Sequence, residues 1–169
     1  GGFLTPIVIG LSNLPPVPLF VYLAILNVGV FLVSIYKKWH RLILLALFFT
    51  QALYWNWYGG YYRPSDLVVT ALAATFFFVL FCLLSVTHNI RRQTYSDPFD
   101  LLLVIGNGGL FFAQIVALLK PLEQTVPGLF PLAMGALYLI FAYRALRRAP
   151  GDHGLISSYV GLAVFFVTI

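Results

Sequence analysis

Cysteine, methionine and acidic residues are almost missing from this chain, which has one Cys, one Met and five Asp or Glu in 169 residues. The lone thiol, Cys82, cannot close an intrachain disulfide and lies in an apolar run without a Cys or His partner at metal-site spacing. Disulfide scaffolds and the usual zinc sites are thereby excluded, and Cys82 reads as a small buried hydrophobe. Charge is scarce too: charged residues make up 9% of the chain, against about 25% in a soluble domain. Ten Lys or Arg and five Asp or Glu cannot cover a body of this size, and 61% of the residues are hydrophobic, so a water-soluble globule is excluded. The mean hydropathy of +0.94 agrees.

Motifs of catalysis are missing as well. There is no nucleophile–base pair, no pair of carboxylates in one apolar run, no His-Glu-x-x-His and no phosphate-binding loop. The expectation is a protein that is not an enzyme and carries no cofactor or metal. No complete apolar span has Asp, Glu, Lys or Arg in its middle, where ion relays commonly sit, and this counts against ion coupling. The net charge of +5 resides in short basic clusters between apolar runs, so nucleic acid is not an expected partner.

What the chain has in quantity is long charge-free runs: 1–36, 42–62, 67–90, 101–119, 124–143 and 153–169. About 20 apolar residues cross a hydrocarbon core about 30 Å thick, so each run after the first is of spanning length or nearly so. Ser12-Asn13-Leu14-Pro15-Pro16 breaks the first run into a helix tail ending near Gly10 and a full helix. The reading is an all-α polytopic transmembrane helix bundle forming a single module over 1–169. Five complete spans lie near 17–36, 42–61, 67–89, 99–119 and 127–146, with partial helices at both ends. A membrane barrel would need segments alternating polar and apolar residues, whereas 42–49 is apolar on all sides. Asp97-Pro98-Phe99-Asp100 reads as a helix start, and Ser65-Asp66 and Asp152 stand at equivalent starts. Pro127 and Pro131 predict a kinked or partly interfacial first turn in the fifth span.

Lys37, Lys38, Arg41, Arg91, Arg92, Arg144, Arg147 and Arg148 fall on one side of such a bundle, and Arg63 and Lys120 on the other. This bias places the loops 37–41, 90–98 and 147–152 in the cytoplasm. The opposite side carries Tyr54, Trp55, Trp57, Tyr58, Tyr61 and Tyr62, which read as an interfacial aromatic belt. His40, His88 and His153 lie at membrane boundaries and read as interfacial polar residues, the alternative for His88 being a ligand to a metal centre or a chlorin in a pigment protein.

An internal repeat stands out. Leu23-x-Ile25-x-Asn27-x-Gly29-x-Phe31 recurs as Leu103-x-Ile105-x-Asn107-x-Gly109-x-Phe111, and Ala73 to Phe77 is loosely similar to Gly161 to Phe166. The candidate repeat units are 17–90 and 98–169, three helices each, and an odd number of helices would invert the second copy in the membrane. Asn27, Gly29, Gln51, Asn107, Gly109 and Gln114 then form a candidate midplane polar and packing site. One reading is a substrate site at Asn107, where Gly106, Gly108 and Gly109 would let the helix unwind. The preferred reading is that the amides hydrogen-bond between helices while the glycines let backbones approach, so that Gly109→Leu would destabilise by overpacking.

Gly2-Phe3-Leu4-Thr5-Pro6, then Leu19-Phe20-x-Tyr22-Leu23-x-x-Leu26-Asn27-x-Gly29, the basic turn Lys37-Lys38-Trp39, and Tyr159-x-Gly161-Leu162-Ala163 together carry a resemblance. The chain resembles the large bacterial membrane proteins of the domain-of-unknown-function family twenty-three thirty-nine. Members of that family are much longer, so the resemblance implies an internal piece, as do the start at Gly1 without Met and the end at Ile169 in mid-run. It implies no activity, and no catalytic residue is carried over from it.

The expected function is that of a non-enzymatic structural or accessory module of a bacterial inner membrane, with membrane lipids and other transmembrane helices as partners. Two alternatives stand beside it: a transporter or lipid-translocating unit on inverted repeats, and a pigment- or lipid-holding subunit of a respiratory or photosynthetic assembly.

Overall fold

The computed structural model describes residues 15–36, 40–92, 98–120, 126–148 and 151–169. Among these the regular structure is entirely helical: α1 (Pro16–Tyr36), α2 (His40–Tyr61), α3 (Leu67–Arg92), α4 (Pro98–Leu119), α5 (Val126–Arg148) and α6 (His153–Thr168), with a 3-10 turn Pro64–Asp66 leading into α3. The expected N-terminal partial helix, Asp97 and the basic turn 37–39 lie outside the described residues.

By length and composition α1, α3, α4 and α5 can each cross a membrane. The second expected span is not among these four. Although α2 has 22 residues, its C-terminal half holds Gln51, Asn56 and a run of Trp and Tyr that lower its hydropathy. At the other end of the chain α6, with 16 residues, is a shorter apolar helix.

Local chemistry explains several helix starts. Pro98 opens α4, where its missing N–H is no loss, and Asp100 sits in the first turn near the positive end of the helix dipole. At the head of α6 the Asp152 carboxylate accepts from the Leu155 N–H at 3.1 Å, satisfying one of the donors that a helix start leaves open. The Thr70 hydroxyl donates to the Asp66 carbonyl at 2.7 Å, tying the 3-10 turn to α3. Pro131 lies inside a continuous α5, near enough to its start that only early backbone bonding is affected.

The chain divides into two compact units, Gly1–Leu80 and Phe81–Ile169, with the division inside α3. In the first unit α1 packs on α2. In the second, α5 and α6 make the most extensive pairing and α4 packs on both.

Each unit exposes apolar faces, and its few buried polar side chains lie within an otherwise apolar core. On α1, Val17, Val21, Ile25, Val28 and Leu32 follow one another at three- and four-residue steps along an exposed stripe, while Leu19, Leu23 and Asn27 line the buried one. Phe99, Leu102, Ile105 and Val116 are exposed on α4, and the buried stripe carries Asp100, Asn107 and Gln114 at intervals of seven. Water selects the opposite arrangement. Hydrocarbon selects this one, because a polar side chain can then be satisfied only by another part of the protein.

Candidate functional site

In each unit one buried asparagine has a side-chain partner on another helix. In the first, the Asn27 amide donates to the Leu23 carbonyl at 2.8 Å and to the Thr50 hydroxyl at 2.8 Å, and Thr50 donates back to Asn27 Oδ1 at 3.2 Å. Asn27 and Thr50 are each 1% exposed, so this reciprocal pair joins α1 to α2 away from any solvent. Beside it, Tyr54 is also buried. Its ring packs with Phe20, Trp55 and Tyr58 at centroid separations of 5.9, 5.7 and 6.2 Å, and its hydroxyl has no hydrogen-bond partner among the described residues.

In the second unit the Asn107 amide donates to Cys82 Sγ at 3.5 Å, joining α4 to α3. A sulfur acceptor is weak, so this contact holds the amide less firmly than a hydroxyl or carbonyl would. Tyr138 of α5, 1% exposed, brings its ring against Phe141, Tyr159 and Phe166. Its hydroxyl is enclosed, has no hydrogen-bond partner among the described residues, and lies over Gly108, where a Cβ would collide with it. Phe81, Cys82, Asn107, Tyr138, Phe141 and Tyr159 line a cavity of about 10 Å³.

Of the six residues expected at the midplane, the four amides Asn27, Gln51, Asn107 and Gln114 are buried. The two glycines are placed differently. Among the described residues, Gly29 and Gly109 have nothing within 4 Å of the position of a Cβ, so neither accommodates a close approach of a described helix. That task falls to Gly108, under Tyr138, and to Gly135, where a Cβ would stand 2.7 Å from Val167 Cγ2 and 3.3 Å from the Ala163 carbonyl oxygen. The tight pairing of α5 with α6 depends on Gly135.

The aromatic group at the end of α2 divides in two. Trp57, 1% exposed, packs edge-on against Phe20 at 5.1 Å, so it belongs to the α1–α2 core, together with Tyr54. Tyr61 is exposed, Trp55, Tyr58 and Tyr62 are half-buried, and Tyr58 stacks on Tyr62 at 4.7 Å. His153 is exposed at the start of α6, and the side chains of His40 and His88 lie outside the described residues. Among the described residues no three His, Cys, Asp or Glu side chains come together as a metal site would require.

Two of the residues around the cavity of the second unit, Cys82 and Tyr138, were not expected there. A signal for Tyr138 exists, since tyrosine favours the membrane interface and this one stands near the middle of its helix. Cys82 offers no such signal, because a thiol in an apolar run looks like any other small core residue.

Helices with apolar outer faces, polar inner stripes and spanning length define a polytopic α-helical membrane protein. The chain belongs to the DUF2339 family, described as "Predicted membrane protein", whose sequence profile matches residues 1–169. No curated protein and no solved structure matches it.

Proposed function

We propose that this chain is a non-enzymatic helix-packing module of a bacterial inner membrane, in which buried amides fix helices against one another. The observation that carries this reading is the Asn27–Thr50 pair, whose hydrogen-bonding groups engage each other between α1 and α2 instead of facing a substrate path. Its partners are lipids on the exposed apolar faces and other transmembrane helices. The loops 37–41, 90–98 and 147–152 face the cytoplasm, a reading supported by the distribution of Lys and Arg.

Thermal unfolding of the purified protein in mild detergent tests the packing role. Asn27→Leu is expected to lower the Tm with or without added solutes. A small polar solute that raises the Tm of the parent and loses that effect in Asn27→Leu would instead establish a transport-type site. For sidedness, cysteines introduced at Ser65 and Ser96 are expected to react with an impermeant thiol reagent from opposite sides of the membrane, Ser96 from the cytoplasm; reaction of both from one side overturns the topology.

A further inference from the structure

We propose that the C-terminal end of α5 binds the headgroup of an acidic phospholipid, held by Arg144 and Arg147 with Tyr143. All three side chains are exposed and belong to the last turns of one helix. The Arg147 Nε–H donates to the Tyr143 hydroxyl at 3.1 Å, and the guanidinium carbon stands 5.3 Å from the centroid of the Tyr143 ring. These two contacts hold a long side chain that would otherwise sample many rotamers, and they engage only its Nε–H. The two Nη groups keep four N–H donors in a planar fork, the geometry that takes two oxygens of a phosphate. Arg144, three residues earlier, adds a second cation, and neither arginine pairs with a carboxylate among the described residues.

An apolar surface runs back along the helix from this basic end. Leu132, Ala136, Leu139, Ile140 and Tyr143 are all exposed and follow one another at three- and four-residue steps, so they form one stripe. From Leu132 to Tyr143 the stripe is about 16 Å long, close to the roughly 15 Å that one leaflet contributes to a hydrocarbon core. An acyl chain lying on it brings its own phosphate to the level of Arg147. A soluble phosphate ester would leave the stripe uncovered, and a zwitterionic lipid offers two cations no net charge. An acidic phospholipid matches both the stripe and the charge. The inference names the lipid and the residues for a face proposed above to contact lipid, and it rests on that reading.

Site-specific photocrosslinking tests the proposal, with p-benzoylphenylalanine in place of Leu146, an exposed residue between the two arginines. The full chain is placed in nanodiscs of phosphatidylglycerol and phosphatidylcholine in equal amounts with identical acyl chains, so that the mass of each lipid adduct reports the headgroup alone. The expected result is an excess of phosphatidylglycerol adducts of roughly fivefold, the preference that one arginine near a membrane surface supports. Arg144→Gln combined with Arg147→Gln should bring capture of the two lipids close to equal. Equal capture with both arginines present overturns the proposal and leaves a lipid-facing α5 intact. An excess that survives the two glutamines overturns the assignment to these arginines. Capture of protein and no lipid overturns the proposal together with the lipid-facing reading. The first ratio is measured with both arginines in place, so it decides the matter even where the double variant does not fold.

Discussion

In the first unit Asn27 donates to the Thr50 hydroxyl and accepts from it, whereas in the second Asn107, in the same nine-residue pattern, donates to the Cys82 thiol. The pattern itself is used alike in both places. Leu23 and Leu103 are buried, Ile25 and Ile105 are exposed, and the glycine two residues after each asparagine faces open space. What differs is the neighbour. A hydroxyl can return a hydrogen bond to a carboxamide, so α1 and α2 are closed by a reciprocal pair, while a thiol is a weak partner and a small, mainly apolar cavity lies beside Asn107 and Cys82 in the second unit. The motif on one helix therefore sets which way an amide points, and the opposing helix decides whether it becomes a lock or part of a pocket.

The largest effect that would break this comparison concerns the glycines of the second unit. Gly108→Leu should destabilise by about 1–3 kcal/mol, because its side chain must displace Tyr138. Gly109→Leu, one residue along and facing open space, should change stability by less than about 0.5 kcal/mol. Thermal or denaturant unfolding in detergent measures both. Equal losses would mean that the buried face of α4 has been assigned to the wrong side.

Those two glycines also show where sequence reasoning stopped. Helix positions were legible to within a few residues, as with 99–119 expected against Pro98–Leu119 found, because charge, proline and capping residues punctuate the runs. Inside a run, residues apolar on every side give little indication of which face is inward. On α4 that information resided in Asp100, Asn107 and Gln114, whose spacing of seven marks the buried stripe. Gly108 follows Val104 and precedes Phe111 along that stripe, whereas Gly109 is turned about 200° from Asn107. The partners of the amides were not legible in the same way, since Thr50, Cys82 and Tyr138 come from other helices and their meeting depends on tertiary packing. Trp57 is a similar case, its inward turn being fixed by Phe20 on α1.

A smaller effect sharpens the comparison directly. A double-mutant cycle of Asn27→Ala and Thr50→Val should give a coupling of about 0.6–1.7 kcal/mol, the range of hydrogen bonds between membrane helices. The matching cycle of Asn107→Ala and Cys82→Ala should give a coupling below about 0.6 kcal/mol, because the thiol accepts weakly. A larger coupling in the second unit than in the first would reverse the distinction between lock and pocket.

The smallest expected effect is one that the two units share. Gly29 and Gly109 both stand inside helices with room for a methyl group, so neither is held by steric need. Replacing a helical glycine by alanine at such a position removes backbone freedom from the unfolded chain and adds contact with surrounding lipid, without collision. Gly29→Ala and Gly109→Ala should therefore each stabilise their unit by up to about 0.5–1 kcal/mol, read as a rise in Tm. If one of them instead destabilises, a helix from elsewhere packs against that glycine in the membrane, and the open face of that unit is an interface.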